Sequence, residues 1–175
     1  MYYAVCSEGS KTNNSSVIEI NGGSFTTINK KDGIAIYNPA YNNTLIINGG
    51  DFIGATACEV RSGNVVITDG YFNALSPFTA VPSGGGATTT GCAFAVIQHI
   101  TKQPIDVKIT GGLFVGNYAF YQANLQKNEQ EAVDKITLSI TGSGLKGTVY
   151  SENKTKFVNA AKCSLSEELN ESYKA

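Results

Sequence analysis

Ile20-Asn21-Gly22-Gly23-Ser24-Phe25 is the first of five versions of one phrase. It returns as Ile47-Asn48-Gly49-Gly50-Asp51-Phe52, Ile67-Thr68-Asp69-Gly70-Tyr71-Phe72 and Ile109-Thr110-Gly111-Gly112-Leu113-Phe114, and more loosely as Ile140-Thr141-Gly142-Ser143-Gly144-Leu145. The Asn/Thr position falls at 21, 48, 68, 110 and 141, at spacings of 27, 20, 42 and 31. A basic unit near 20 residues with insertions accounts for these intervals, and self-similarity of that period marks a repeat architecture.

Outward from the phrase, each copy follows an alternating run: Val17-Ile18-Glu19-Ile20, Thr44-Leu45-Ile46-Ile47, Val65-Val66-Ile67, Val107-Lys108-Ile109 and Ile136-Thr137-Leu138-Ser139-Ile140. Alternation of this kind predicts strands with one face buried. The Gly-Gly or Asp-Gly pair then predicts a sharp bend with positive φ, so that Gly22→Val or Gly49→Val is expected to damage folding. The following Phe or Leu points back inside. A second phrase comes after a short gap: Gly33-Ile34-Ala35-Ile36-Tyr37, Ala57-Cys58-Glu59-Val60-Arg61, Cys92-Ala93-Phe94-Ala95-Val96-Ile97, Tyr118-Ala119-Phe120-Tyr121-Gln122 and Gly147-Thr148-Val149-Tyr150.

Three short strands per unit predict an all-β fold, a right-handed parallel β-helix of about six coils, in which like strands pair coil over coil. Phe25, Phe52, Phe72 and Phe114 then form one internal column, continued by Leu145 and by Cys163 if Ala160-Ala161-Lys162-Cys163 is a degraded copy. A β-sandwich of hairpins is the rival, but hairpins need neither the same bend residue nor the same aromatic in every unit.

With 175 residues, the chain is read as a single β-helix domain, 1–175. Tyr2-Tyr3-Ala4-Val5-Cys6 aligns with the third strand of a coil, so the sequence reads as starting mid-coil, with an open edge that invites a neighbouring chain or domain. Ser164 to Glu171 reads as a polar, helix-compatible C-terminal cap. Two insertions, near 75–91 and 123–131, are expected to project from the body, either as binding loops or as inert solvated loops. A third, Asn29 to Asp32, carries Lys30 and Lys31.

Charged residues make up 15% of the chain and the net charge is −1, so no basic field exists to attract nucleic acid. No apolar run is long enough for membrane insertion as a helix, and Met1 to Cys6 lacks the pattern of a signal peptide. Cys6, Cys58, Cys92 and Cys163 match no metal or disulfide spacing and are expected to be unpaired, buried thiols.

The Ile-Asn-Gly-Gly-x-Phe phrases and Ala35-Ile36-Tyr37-Asn38 resemble the right-handed β-helix repeats of the pectate-lyase-like superfold. They look most like the Asn/Gly-rich branch found in surface proteins of gut Firmicutes and in fibres or spikes of their phages. The resemblance covers nearly the whole chain and implies work on polysaccharide or at a cell surface, extracellular or on a virion, with a homotrimer as in phage spikes. It does not decide between binding and catalysis.

If the chain is an enzyme, a polysaccharide lyase or glycoside hydrolase, its only constellation is Asp51, Asp69, Glu59 and Arg61. These would have to share one outer face. Alternation places Glu59 and Arg61 outward, two apart, as an exposed ion pair of little worth. Asp69 also suits a bend for backbone reasons alone. His99, the sole histidine, reads as a surface or turn residue, and no metal site or cofactor motif occurs. Tyr37, Tyr41, Tyr71, Tyr118 and Tyr121 are the candidate binding residues, outward rings able to stack on sugars. The expected role is a non-catalytic, surface-displayed module with a structural or glycan-binding function.

Overall fold

The computed structural model describes residues 2–12, 15–29, 31–84, 89–153 and the backbone of 157–158. It is all-β, built almost entirely of parallel strands in stacked sheets. Three parallel ladders carry the chain, and in each the neighbour of a strand is its counterpart one repeat away.

The first ladder joins β2 (Val17–Ile20), β5 (Thr44–Ile47), β8 (Gly63–Ile67), β13 (Ile105–Ile109), β15 (Ile136–Ile140) and β17 (Phe157–Val158). Its register aligns Ile20, Ile47, Ile67, Ile109 and Ile140 in one column, each at most 7% exposed. The second ladder runs β3 (Ser24–Thr26), β6 (Asp51–Gly54), β9 (Tyr71–Ala74) and the first halves of β14 (Leu113–Gln122) and β16 (Gly144–Ser151). The third runs β1 (Tyr3–Cys6), β4 (Ile34–Asn38), β7 (Thr56–Val60), β12 (Cys92–Val96) and the second halves of β14 and β16. A register shift between Val115 and Tyr118 lets β14 turn the corner between two ladders.

The aromatic column expected from the repeat is present. Phe25, Phe52, Phe72 and Phe114 stack at centroid distances of 5.3, 4.8 and 4.5 Å, and Leu145 pairs with Phe114 in the next strand. These spacings match the roughly 4.8 Å between neighbouring strands, so each ring rides on the one below. Cys163 and the segment read as a C-terminal cap lie outside the described residues.

The bends correct one expectation. The second glycine of the pair has positive φ in four copies, +102° at Gly23, +117° at Gly50, +138° at Gly70 and +96° at Gly112, whereas the first has it at Gly22, +159°, and Gly142, +66°, but not at Gly49. A Cβ on Gly50 would lie 3.0 Å from the Gly23 carbonyl and 3.2 Å from the Phe52 ring. One on Gly49 would meet only the Asn21 carbonyl, at 3.5 Å, and one on Gly22 would meet open space. In the later copies the first position is crowded as well, a Cβ on Gly111 running into the Thr68 carbonyl and one on Gly142 into the Thr110 carbonyl, so the room at Gly22 and Gly49 is particular to the first two copies.

The insertions also depart from expectation, because both fold back on the body. Residues 75–84 and 89–91 form a strap with a short antiparallel pairing, β10 (Thr79–Ala80) with β11 (Thr89–Thr90). Residues 123–131 lead into α1 (Gln130–Val133), which buries Ala132 and Val133. Cys58 and Cys92 are free and buried as expected, whereas Cys6 is free but exposed, because no described strand covers β1 on its outer edge.

Thermal melts test the bend and the column together. Gly50→Val is expected to cost 1–3 kcal/mol or more, from a backbone region closed to side chains, while Gly49→Val stays near wild type. Phe52→Ala is expected to cost about 3–5 kcal/mol, and Phe25→Ala, at the half-open end of the column, distinctly less.

Candidate functional site

The structure sorts the candidate residues into two places. Asp51 and Tyr71 stand in equivalent positions of β6 and β9, and Asp69 stands at the bend before Tyr71. Together with Gly50, Gly70, Gly112 and Leu113 they line one open groove of about 420 Å³. The glycines make its floor backbone, so a ligand can approach the main chain closely. The Asp69 carboxylate accepts a hydrogen bond from the Gly70 amide at 2.8 Å, which fixes one of its oxygens. Beside the groove runs an exposed polar ladder: Asn48 donates to Asn21 at 2.8 Å, and the Thr68 hydroxyl donates to Asn48 at 2.9 Å.

Glu59 and Arg61 are elsewhere and are not exposed; both are 0% accessible. Alternation does turn them outward, in the column Tyr37, Glu59, Ala95, Tyr121, Tyr150 on the outside of the third ladder. The strap then covers that surface. The Thr89 amide and hydroxyl donate to the Glu59 carboxylate at 3.1 and 2.7 Å. Arg61 donates to the carbonyls of Ser83 at 2.8 Å and Ile97 at 3.4 Å, and to the Tyr37 hydroxyl at 3.3 Å. A charge is buried cheaply only when its hydrogen bonds are met, and here the strap backbone meets them. The four residues of the lyase or hydrolase constellation therefore do not share one face.

The same cover takes up several tyrosines. Phe78 of the strap lies 4.2 Å from the Tyr118 ring and 5.0 Å from Tyr121, over Cys92, Ala95, Ile97 and Ala123. Tyr121 is 8% exposed and also stacks on Tyr150 at 5.5 Å; Tyr37 is 4% exposed and stacks on Tyr3 at 4.7 Å. Tyr37 and Tyr121 are thus packing residues, contrary to the expectation of free outward rings. Tyr118, Tyr41 and Tyr71 are half-buried, and of these Tyr71 is the one in the acidic groove.

Sequence reasoning missed the meeting of the two insertions. The Ser83 carbonyl accepts from Arg61 and also from the Gln126 amide, so both insertions converge on one oxygen. His99 joins them: its Nδ1 accepts from the Thr101 amide at 3.2 Å, so Nε2 carries the proton and donates to the Gly84 carbonyl. Burial, with the Arg61 charge nearby, holds the imidazole below its ordinary range, while the Gly84 contact works the other way. Burial likewise pushes the Cys58 and Cys92 thiols up, with Glu59 adding to the effect. Among the described residues no group of three or more His, Cys, Asp or Glu could hold a metal ion, and no helix is long and apolar enough to cross a membrane.

Two measurements check the strap. Glu59→Ala leaves the buried Thr89 amide without its acceptor, so exchange at that amide should accelerate and stability should fall by about 1–3 kcal/mol. The lowered His99 value means the unfolded chain binds its proton first. Stability should therefore fall as pH drops below about 6.5, and a His99→Gln variant should show a smaller fall between pH 7 and 5.

Compared with known proteins, the chain matches no family model, no curated protein and no solved structure.

Proposed function

We propose that this chain is a right-handed parallel β-helix of the pectate-lyase-like kind, acting as a non-catalytic module at a bacterial surface or on a virion, and binding glycan in the groove of Asp51, Asp69 and Tyr71. The helix reading is supported by the ladders. Among the described strands only β10 and β11 pair with a chain neighbour; the others pair with counterparts one repeat away, whereas hairpins or an up-and-down barrel would pair successive strands. Parallel crossovers of this kind are right-handed in nearly all proteins.

One observation carries the binding reading: two exposed carboxylates and a half-buried tyrosine line one open groove with a glycine floor. Carboxylates accept hydrogen bonds from pairs of sugar hydroxyls, and the tyrosine ring offers an apolar face with a polar edge to the ring of a sugar. The volume is within the range of small-ligand sites. Glu59 and Arg61, which a lyase would need beside its acids, already serve the strap. A net charge of −1 directs the module away from nucleic acid. The groove, however, also holds the pair of carboxylates that a glycoside hydrolase requires, so turnover has to be measured along with binding.

The test is a glycan array, run with an ultraviolet assay for unsaturated uronate and a reducing-sugar assay on the same polysaccharides. Binding without turnover is expected, weakened about three- to tenfold by Tyr71→Ala and further by Asp51→Ala, with Tyr121→Ala affecting stability instead. Turnover lost in Asp51→Asn or Asp69→Asn would replace the binding module with a hydrolase. No binding to any glycan would remove the reading.

A further inference from the structure

Of the asparagines in the chain only Asn21 and Asn48 precede a glycine, so each side-chain carbonyl has a main-chain amide beside it that carries no side chain in the way. Both stand exposed at a bend, in the polar ladder beside the groove. The Asn48 side chain is held at both ends. Its Nδ2 donates to Asn21 Oδ1 at 2.8 Å and to Glu19 Oε1 at 3.4 Å, and its Oδ1 accepts from the Thr68 hydroxyl at 2.9 Å. The Gly49 amide that follows donates to no acceptor among the described residues, so closing a ring through it breaks no hydrogen bond there. Gly49 also lacks the positive φ of Gly50, and a Cβ on it would meet only the Asn21 carbonyl, at 3.5 Å.

We infer that Asn48 is a self-modification site, which turns into a carboxylate through a cyclic imide formed with Gly49 and assisted by the Thr68 hydroxyl. The Gly49 nitrogen gives up its proton to hydroxide and bonds to Asn48 Cγ. As that tetrahedral centre forms, Oδ1 takes on negative charge, and the Thr68 hydroxyl is already placed to stabilise it. The Cγ–Nδ2 bond then breaks, and Nδ2 leaves as ammonia with a proton from water. A second water adds to one of the two imide carbonyls and cleaves its C–N bond, which leaves aspartate or isoaspartate; nothing is oxidised or reduced. Asn21 has no such hydroxyl, since its Oδ1 accepts from the Asn48 amide, a less acidic donor. The product changes this face of the molecule. A carboxylate at position 48 removes the donor that Asn21 and Glu19 share, sets like charge against Glu19 and adds one negative charge beside the groove of Asp51 and Asp69. The inference rests on the polar ladder and does not depend on glycan binding.

Peptide mass mapping of the full chain, held folded at mildly alkaline pH for several days, reads the conversion at each asparagine. Asn48 is expected to convert ahead of Asn21. Thr68→Val should slow Asn48 roughly tenfold, less than the loss of a buried oxyanion donor because water competes here, and should leave Asn21 unchanged. Thr68→Ser keeps the hydroxyl and should restore the rate. Gly49→Ala, for which the fold has room, should keep the melting temperature and suppress conversion at Asn48. The inference is overturned if Asn48 stays intact in the folded chain while the same chain in denaturant converts, or if Asn21 converts first. An Asn48 rate indifferent to Thr68→Val, or a Thr68→Val effect shared equally by both asparagines, would overturn it as well.

Discussion

Among the described residues, each parallel strand has its backbone partners one repeat away and not in the strand that follows it; only the antiparallel strap hairpin pairs neighbours. From that constraint much of the rest follows. Each coil must stay in register with the next, so side chains recur in columns: isoleucine under isoleucine on the first ladder, phenylalanine under phenylalanine on the second. The bends must also stack, carbonyl over glycine, and that is why Gly50, Gly111, Gly112 and Gly142 have little or no room for a side chain. Stability of this kind is a sum of neighbour contacts, and the coil at the end of a stack is the least protected part of the core.

The outer surfaces obey a different rule, because the ladders leave them open. On the third ladder the strap supplies the cover, and it does so with polar as much as apolar groups. Glu59 receives the amide and hydroxyl of Thr89, Arg61 reaches Ser83, and Phe78 fills the space against Tyr118 and Tyr121. A buried carboxylate and guanidinium are costly alone, and the strap meets both, Thr89 at Glu59 and Ser83 at Arg61. The second insertion is tied to the same carbonyl through Gln126. The strap leaves the glycine-floored groove of Asp51, Asp69 and Tyr71 open.

The parallel ladders were legible in the sequence because their pattern is written locally and repeatedly: the isoleucine column, the aromatic column and the strands of the third ladder stand where alternation and the Gly-x-Phe phrase put them. Alternation also had the directions of Tyr37, Glu59 and Tyr121 right. The burial of Glu59, Arg61 and Tyr121 was not legible, since it depends on Thr89, Ser83 and Phe78, which lie 30, 22 and 43 positions away from them in segments with no periodicity. The glycine misreading has a similar origin. Composition marks a Gly-Gly pair as a bend, but which of the two is crowded depends on a carbonyl of the neighbouring coil, Gly23 over Gly50. In the groove, Asp51 and Asp69 were readable as neighbours on consecutive bends, while the placing of Tyr71 beside them came from the register of β6 and β9.

Nuclear Overhauser contacts between backbone protons test the stacking of coils most directly. Within the first ladder, Leu45, Val65, Val107 and Leu138 occupy successive strands in register. The expected spectrum links Leu45 with Val65, Val65 with Val107 and Val107 with Leu138, with no cross-strand contacts between β5 and β6 or between β8 and β9. Cross-strand contacts between those consecutive strands, in place of the long-range series, would contradict the account.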